Sequence, residues 1–353
     1  MRINRLKIGE PRRKRMGRRQ FRPKFEIRTD LAVEEKEGKI REKPGMNGVS
    51  FREWKEEEKG IHMTEVVIKS EQGEKAMGKP IGTYITLEAG RMAWKDESYH
   101  EEVAGELAVH IRRLLKNSLK EEKTGKQHGM EAPEILVVGL GNHYVTPDSL
   151  GPKVLGNLQV TRHLERKGRD GKFPIISGIV PGVMAQTGME TAEILRGIIK
   201  ETRPRAIIAI DALAARSVRR LGTTIQLTDT GIHPGSGVGN HRHGLTKDSL
   251  GIPVLAIGVP TVVGAAAIVQ DTIYAMVKVL ESNPGTKGTG RFVEEMGADE
   301  QYAFIRELLE PEFGSFYVTP PDIDETIKMM SFTISEGIHK ALFHAHEEGN
   351  DII

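Results

Sequence analysis

The chain has 353 residues, 38% of them apolar and 28% charged, with no cysteine and a net charge of +2. That length and balance suit an ordinary globular protein built as one large α/β domain or two smaller ones. The lack of cysteine excludes a disulfide framework, a thiol nucleophile and cysteine-based metal sites. No apolar run approaches the ~18 residues that would span a membrane.

The small net charge conceals an asymmetry. Residues 1–30 hold 12 Lys and Arg against 3 Asp and Glu, a net of +9, and the remaining residues hold 39 basic against 46 acidic, a net of −7. No signal-peptide core follows the basic start, so the chain reads as cytoplasmic. Residues 1–24 admit two readings: a basic tail that touches nucleic acid, or a removable prosegment docked on an acidic body.

In chain order, residues 25–33 read as an edge strand, and 34–60 as a charged stretch with turns at Pro44-Gly45 and Asn47-Gly48. Alternation predicts strands at 62–69 and 81–88. A stripe of Val103, Leu107, Ile111 and Leu114 predicts a helix over 99–119. A polar linker at 120–131 follows. The body then alternates: strand 135–140, helix 149–166, strand 174–180, helix 188–200, strand 206–211, strand 223–228, a glycine-rich loop, strand 253–259 and helix 262–281. A linker at 282–299 leads to helices at 300–309 and 321–347. This alternation predicts βαβ units and a mostly parallel, twisted sheet with helices on both faces, a three-layer α/β fold with small β and C-terminal helical additions.

The stretch 135–152 carries the first candidate site. Ile135-Leu136-Val137-Val138 is a buried strand, punctuated by Gly139 and Gly141, with Asn142 next and Asp148 after the turn. Glycines there allow a sharp turn or the close approach of another backbone. Asp148 falls just past the carboxyl end of a strand, the edge where open α/β sheets bind ligands. Asp is also a preferred helix N-cap residue, so capping is the alternative role. A second buried strand, 206–211, ends in Asp211. Two aspartates at one sheet edge form a pair that cannot ionise together at low cost. Such a pair can hold a water between an acid and a base, an aspartyl-hydrolase arrangement that requires neither serine nor metal.

The loop 228–244 is dense in glycine and places His233, Gly235, Ser236 and Gly237 as candidate substrate-binding residues, alongside Gly139, Gly141 and Asn142. Its Asp229-Thr230-Gly231 matches the triplet of pepsin-like proteases, but the surroundings are not all-β. His233, His241 and His243 lack acidic partners at ligand spacing, and Arg242 lies between two of them, so no metal is expected. Ser217 and Ser236 lack a nucleophile elbow.

Several longer stretches together resemble the germination protease family of spore-forming bacteria. They are Arg28 to Val33, Val137 to Asn142, Val145 to Pro152, Ile179 to Met184, Ile210 to Ser217, Gly231 to Asn240 and Ile257 to Val263. The resemblance implies an atypical aspartic endopeptidase with Asp148 and Asp211 as its catalytic pair. It implies a fold similar to hydrogenase-maturation endopeptidases and a homotetramer in the forespore or spore core. The implied substrates are small acid-soluble spore proteins, with nucleic acid met only through them, and no cofactor is implied. It also implies a zymogen that removes residues 1–30 at Asp30–Leu31, leaving a single peptidase domain over 31–353. The alternatives are a nickel-dependent maturation-type peptidase and a non-catalytic nucleic-acid-binding relative.

Overall fold

Among the described residues, the apolar runs of the sequence pair into one sheet of nine strands. In the computed structural model, the described residues are 31, 32, 34, 47–90, 92, 96–120, 134–164, 174–235, 243–282, 285, 286, 288, 298–313 and 316–343. The strands are β1 (Val49–Glu56), β2 (Ile61–Ile68), β3 (Gly82–Ala89), β4 (Glu134–Gly139), β5 (Ile175–Ile179), β6 (Ala206–Ala215), β7 (Thr224–Thr228), β8 (Val254–Gly264) and β9 (Tyr317–Val318). Their order is β1-β2-β3-β7-β8-β6-β4-β5, with β9 paired to the end of β8. The parallel pairs are β8–β6, β6–β4 and β4–β5. The strands β1, β2, β3 and β7 pair antiparallel, as does β7 with β8.

The helices are α1 (Glu71–Met77), α2 (Glu97–Lys120), α3 (Leu150–Asn157), α4 (Met184–Thr187), α5 (Thr191–Thr202), α6 (Lys247–Leu250), α7 (Ala265–Ser282), α8 (Ala298–Phe313) and α9 (Ile323–Phe343). Successive strand residues point to opposite faces, so the central strands feed two cores. Ile135, Val137, Ile208 and Ile210 meet α2, α3 and α9 on one face. Leu136, Val138, Ile207 and Ala209 meet α5 and α6 on the other. Helices therefore cover both faces, as the expected three-layer α/β fold requires. The helices α2 and α9 pack so closely that a Cβ at Gly337 would stand 2.7 Å from the Leu107 side chain.

The expected small β addition is half of the same sheet, the antiparallel run β1-β2-β3-β7. Strand β7 opposes its neighbours rather than continuing the βαβ series. The stretch expected as charged turns contains β1. Its Arg52, Glu53, Lys55 and Glu56 hide the alternation, and charge of this kind blunts an edge strand against further pairing. The connection between the next two strands contains α1, whose first turn is capped by the Ser70 hydroxyl accepting from Gly73 N–H. In the expected edge strand at 25–33, Ala32 is helical, as is Glu34 beyond it.

Other boundaries move as well. The helix expected over 149–166 ends at Asn157 because the chain turns away to bond β5: Thr161 and Arg162 both donate to the Ile176 carbonyl. Weak helix formers, Gly156 and Asn157, stand where it stops. Strands β6 and β8 run four and five residues beyond the expected ends, pairing with each other as far as Ala215 and Val263 across a register shift.

Candidate active site

The site is built on the parallel half of the sheet. Strand β4 stops at Gly139, and the Leu140 N–H still donates to the Ile210 carbonyl at 2.8 Å. Glycines set the path of the chain beyond the strand. A Cβ on Gly139 would lie 2.4 Å from the Gly151 carbonyl oxygen, and one on Gly151 would lie 2.4 Å from that of Leu140. The start of α3 is therefore pressed directly onto the strand end. Gly141 adopts φ +106°, and its missing Cβ would stand 2.0 Å from the Asp148 carbonyl oxygen. No other residue type fits there without moving Asp148.

Asp148 closes a short 3₁₀ turn, Thr146–Asp148, and its Oδ2 accepts from the Asn142 N–H at 2.8 Å. Ser149, not Asp148, occupies the N-cap position of α3. The capping role weighed for Asp148 is thus not the one it has; its carboxylate braces the loop from the strand end.

Asp211 lies inside β6 rather than at its end and is buried, 6% exposed. Its Oδ1 accepts from the Ala212 N–H at 3.0 Å. The pairing of β6 with β8 shifts register between Leu213 and Ala214. A bulge at this point increases the local twist and re-aims the side chains beside it. Register sets a row across three strands: Asp211 pairs with Gly258, and Gly258 pairs with Gln226. Gly258 leaves room for Leu213, whose side chain would lie 2.4 Å from a Cβ there.

Asp148 and Asp211 line one cleft of about 370 Å³, with Gly141, Leu213, His233 and Gly235. Of the other expected residues, Gly139 and Asn142 do not line it; they shape and brace the Asp148 loop. Asp30, Ser236 and Gly237 lie outside the described residues, and Leu31 is described and fully buried. The loop containing His233 starts away from the carboxyl ends of the parallel strands because β7 runs the other way. It reaches the cleft because Ile232 and Leu245 bond each other in both directions, at 3.0 and 2.7 Å, closing its base. Asp229, of the protease-like triplet, accepts from Thr83 N–H at 2.8 Å and does not line the cleft. Among the described residues, no group of three or more His, Asp or Glu side chains is placed to hold a metal ion.

Sequence reasoning missed Leu213, Gln226 and Gly258, and the Tyr317 and Thr319 wall that comes with β9. The signal for Leu213 is its position two residues after Asp211, on the same strand face. The signal for Gln226 is a lone amide within a fully buried strand.

The family model described as germination protease matches residues 26–287. A germination protease of Caldanaerobacter subterraneus subsp. tengcongensis is 47% identical over 90% of this chain and 94% of its own length. One from Clostridium perfringens is 42% identical over 90% and 95%, and one from Bacillus cereus 39% identical over 93% and 96%. A crystal structure of the NiFe hydrogenase maturation protease HycI from Thermococcus kodakarensis KOD1 is 22% identical, covers 40% of this chain and 80% of its own, and superposes with a TM-score of 0.25.

Proposed function

The chain belongs to the germination protease family, and on that premise we propose that it is an endopeptidase whose Asp148 and Asp211 share and activate one water. The observation that carries this reading is that the two aspartates, one from the turn that follows β4 and the other from within β6, open into one cleft. One carboxylate accepts a proton from the water as the water attacks the peptide carbonyl. The other, protonated, donates to the developing oxyanion and then helps return a proton to the leaving nitrogen. The two titrate as a pair, so the proton belongs to the dyad rather than to either residue.

The same reading makes residues 1–30 a prosegment removed at Asp30–Leu31, and small acid-soluble spore proteins the substrates. The opposite charges of residues 1–30 and the body, +9 and −7, favour docking of the prosegment. Met276 and Val279 on α7 and Phe304 and Leu308 on α8 are between 54% and 69% exposed, an apolar surface that assembly into a homotetramer would cover. No helix among the described residues is long and apolar enough to cross a membrane.

Incubation of the purified chain followed by mass measurement tests the reading. A product beginning at Leu31, formed by the wild type and not by Asp211→Asn, is the expected result. A chain that stays whole under all conditions, or a product with a different N-terminus, contradicts it.

A further inference from the structure

Residues 31, 32 and 34 lie just after the expected processing bond, and all three are buried. Leu31 is wholly covered by Leu213, Ala215, Leu221 and Ile232. Ala32 packs in a cluster with Val66, Met77 and Tyr84, and its N–H donates to the Gln226 Oε1 at 2.7 Å. The Glu34 carboxylate accepts from the Arg216 N–H at 3.0 and 3.1 Å and meets the Arg220 Nε at 3.4 Å. Both side chains of that ion pair are under 10% exposed, and the Arg220 Nη1 also donates to Glu88 at 2.7 Å.

A glutamate is seldom buried unless its charge is matched. Here an arginine and a backbone amide match it. The surface is also continuous with the cleft. Leu213 is at once a wall of the aspartate cleft and part of the Leu31 pocket. Gln226 stands level with Asp211, with only Gly258 between them, a separation of about 10 Å at the usual strand spacing. The peptide bond before Leu31 belongs to a residue packed on the cleft wall itself.

We propose that this surface is the recognition site for the segment on the carboxyl side of the scissile bond, with Arg220 as its specificity-determining residue and Gln226 accepting from the segment's main chain. This rests on the endopeptidase reading above. The ligand is a peptide with an acidic residue fourth after the cleaved bond, and Arg220 with the Arg216 amide reads it as they hold Glu34. The chain's own turn fills the site in cis. It positions the bond for processing and afterwards competes with a substrate's turn.

The test uses the processed wild-type chain and two peptides that differ only in Glu or Gln at the fourth position after the cleaved bond. Charge-assisted hydrogen bonds are strong enough that the Gln peptide should show KM raised roughly tenfold or more. Arg220→Gln should cleave both peptides with the same KM, and Arg220→Lys should restore part of the preference. Glu34→Gln should give readouts of opposite sign: slower processing, but a lower KM for the Glu peptide once processed. A merely structural clamp would not lower KM. If Arg220→Gln does not fold, the peptide pair on the wild type decides alone. Equal kcat/KM for the two peptides on the wild type overturns the proposal. So does a Glu34→Gln chain with unchanged processing and unchanged KM. Cleavage of neither peptide counts against the endopeptidase reading and this site together. Full turnover by Asp211→Asn with the preference intact would overturn the aspartate reading alone.

Discussion

The two faces of the sheet differ in what they ask of the sequence. The face under α2 and α9 is filled with large apolar side chains, Leu107, Ile111, Ile334 and Ile338 among them, all fully buried. The opposite face, where β6 passes α5, thins out beyond Ala209. Asp211, Leu213 and Ala215 follow one another there, Gly258 leaves space beside them, and a cleft opens. The first face stabilises the molecule through burial. The second gives up some of that burial to keep a carboxylate beside an open groove, and it relies on crowded glycines to hold its geometry.

The comparison breaks most sharply at Gly141. Gly141→Ala places a Cβ against the Asp148 carbonyl at a φ that L residues rarely adopt. An ångström of displacement at a reacting group can lower kcat/KM by ~100-fold, and a peptide-cleavage assay should show a loss of that size with the melting temperature changed far less. On the other face, Leu107→Ala should destabilise the fold by ~2–5 kcal/mol, seen in urea unfolding, while kcat of the folded fraction stays close to the wild type.

A smaller effect separates the faces by pH. His100 and His110 sit on α2, and burial holds both below the ordinary value of 6.5. The His100 Nδ1 pairs with the Thr333 hydroxyl at 2.7 Å, and the His110 ring lies 6.0 Å from that of Trp54. A depressed histidine pKa means the folded state resists protonation. Its contribution is complete above 6.5 and is lost as pH falls below 6.5 towards the folded value. Melting temperature should therefore decline on that acid limb, and His110→Phe should make the decline shallower. The smallest effect belongs to neither face: breaking the surface pair Lys340–Glu101 with Lys340→Met should change stability by less than about 1 kcal/mol.

The fold was legible in the sequence where burial is complete. Val137 and Ile208 belong to runs so apolar that only a central strand suits them. It was illegible where charge or polarity masks a role. Strand β1 is concealed by its edge charges, and β7 carries no mark of its direction, because register and orientation are set by partners distant in sequence. Asp148 and Asp211 could be singled out as aspartates at strand ends. That Asp211 lies within its strand, that Leu213 shares its face and that Gly258 clears the space beside it depend on pairing with β8. Glu34 read as one of many charges in a polar stretch, and only the fold brings Arg220 to it across 186 positions of sequence.

The central claim is that the two aspartates of the cleft perform the chemistry while the opposite face holds the fold. Its most direct test is kcat/KM on one peptide for chains that begin at Leu31, wild type beside Asp148→Asn and Asp211→Asn, with the melting temperature of each. The account predicts that either substitution lowers kcat/KM by roughly thousandfold or more, with melting within a few degrees of the wild type. Near-wild-type kcat/KM in either variant would contradict it.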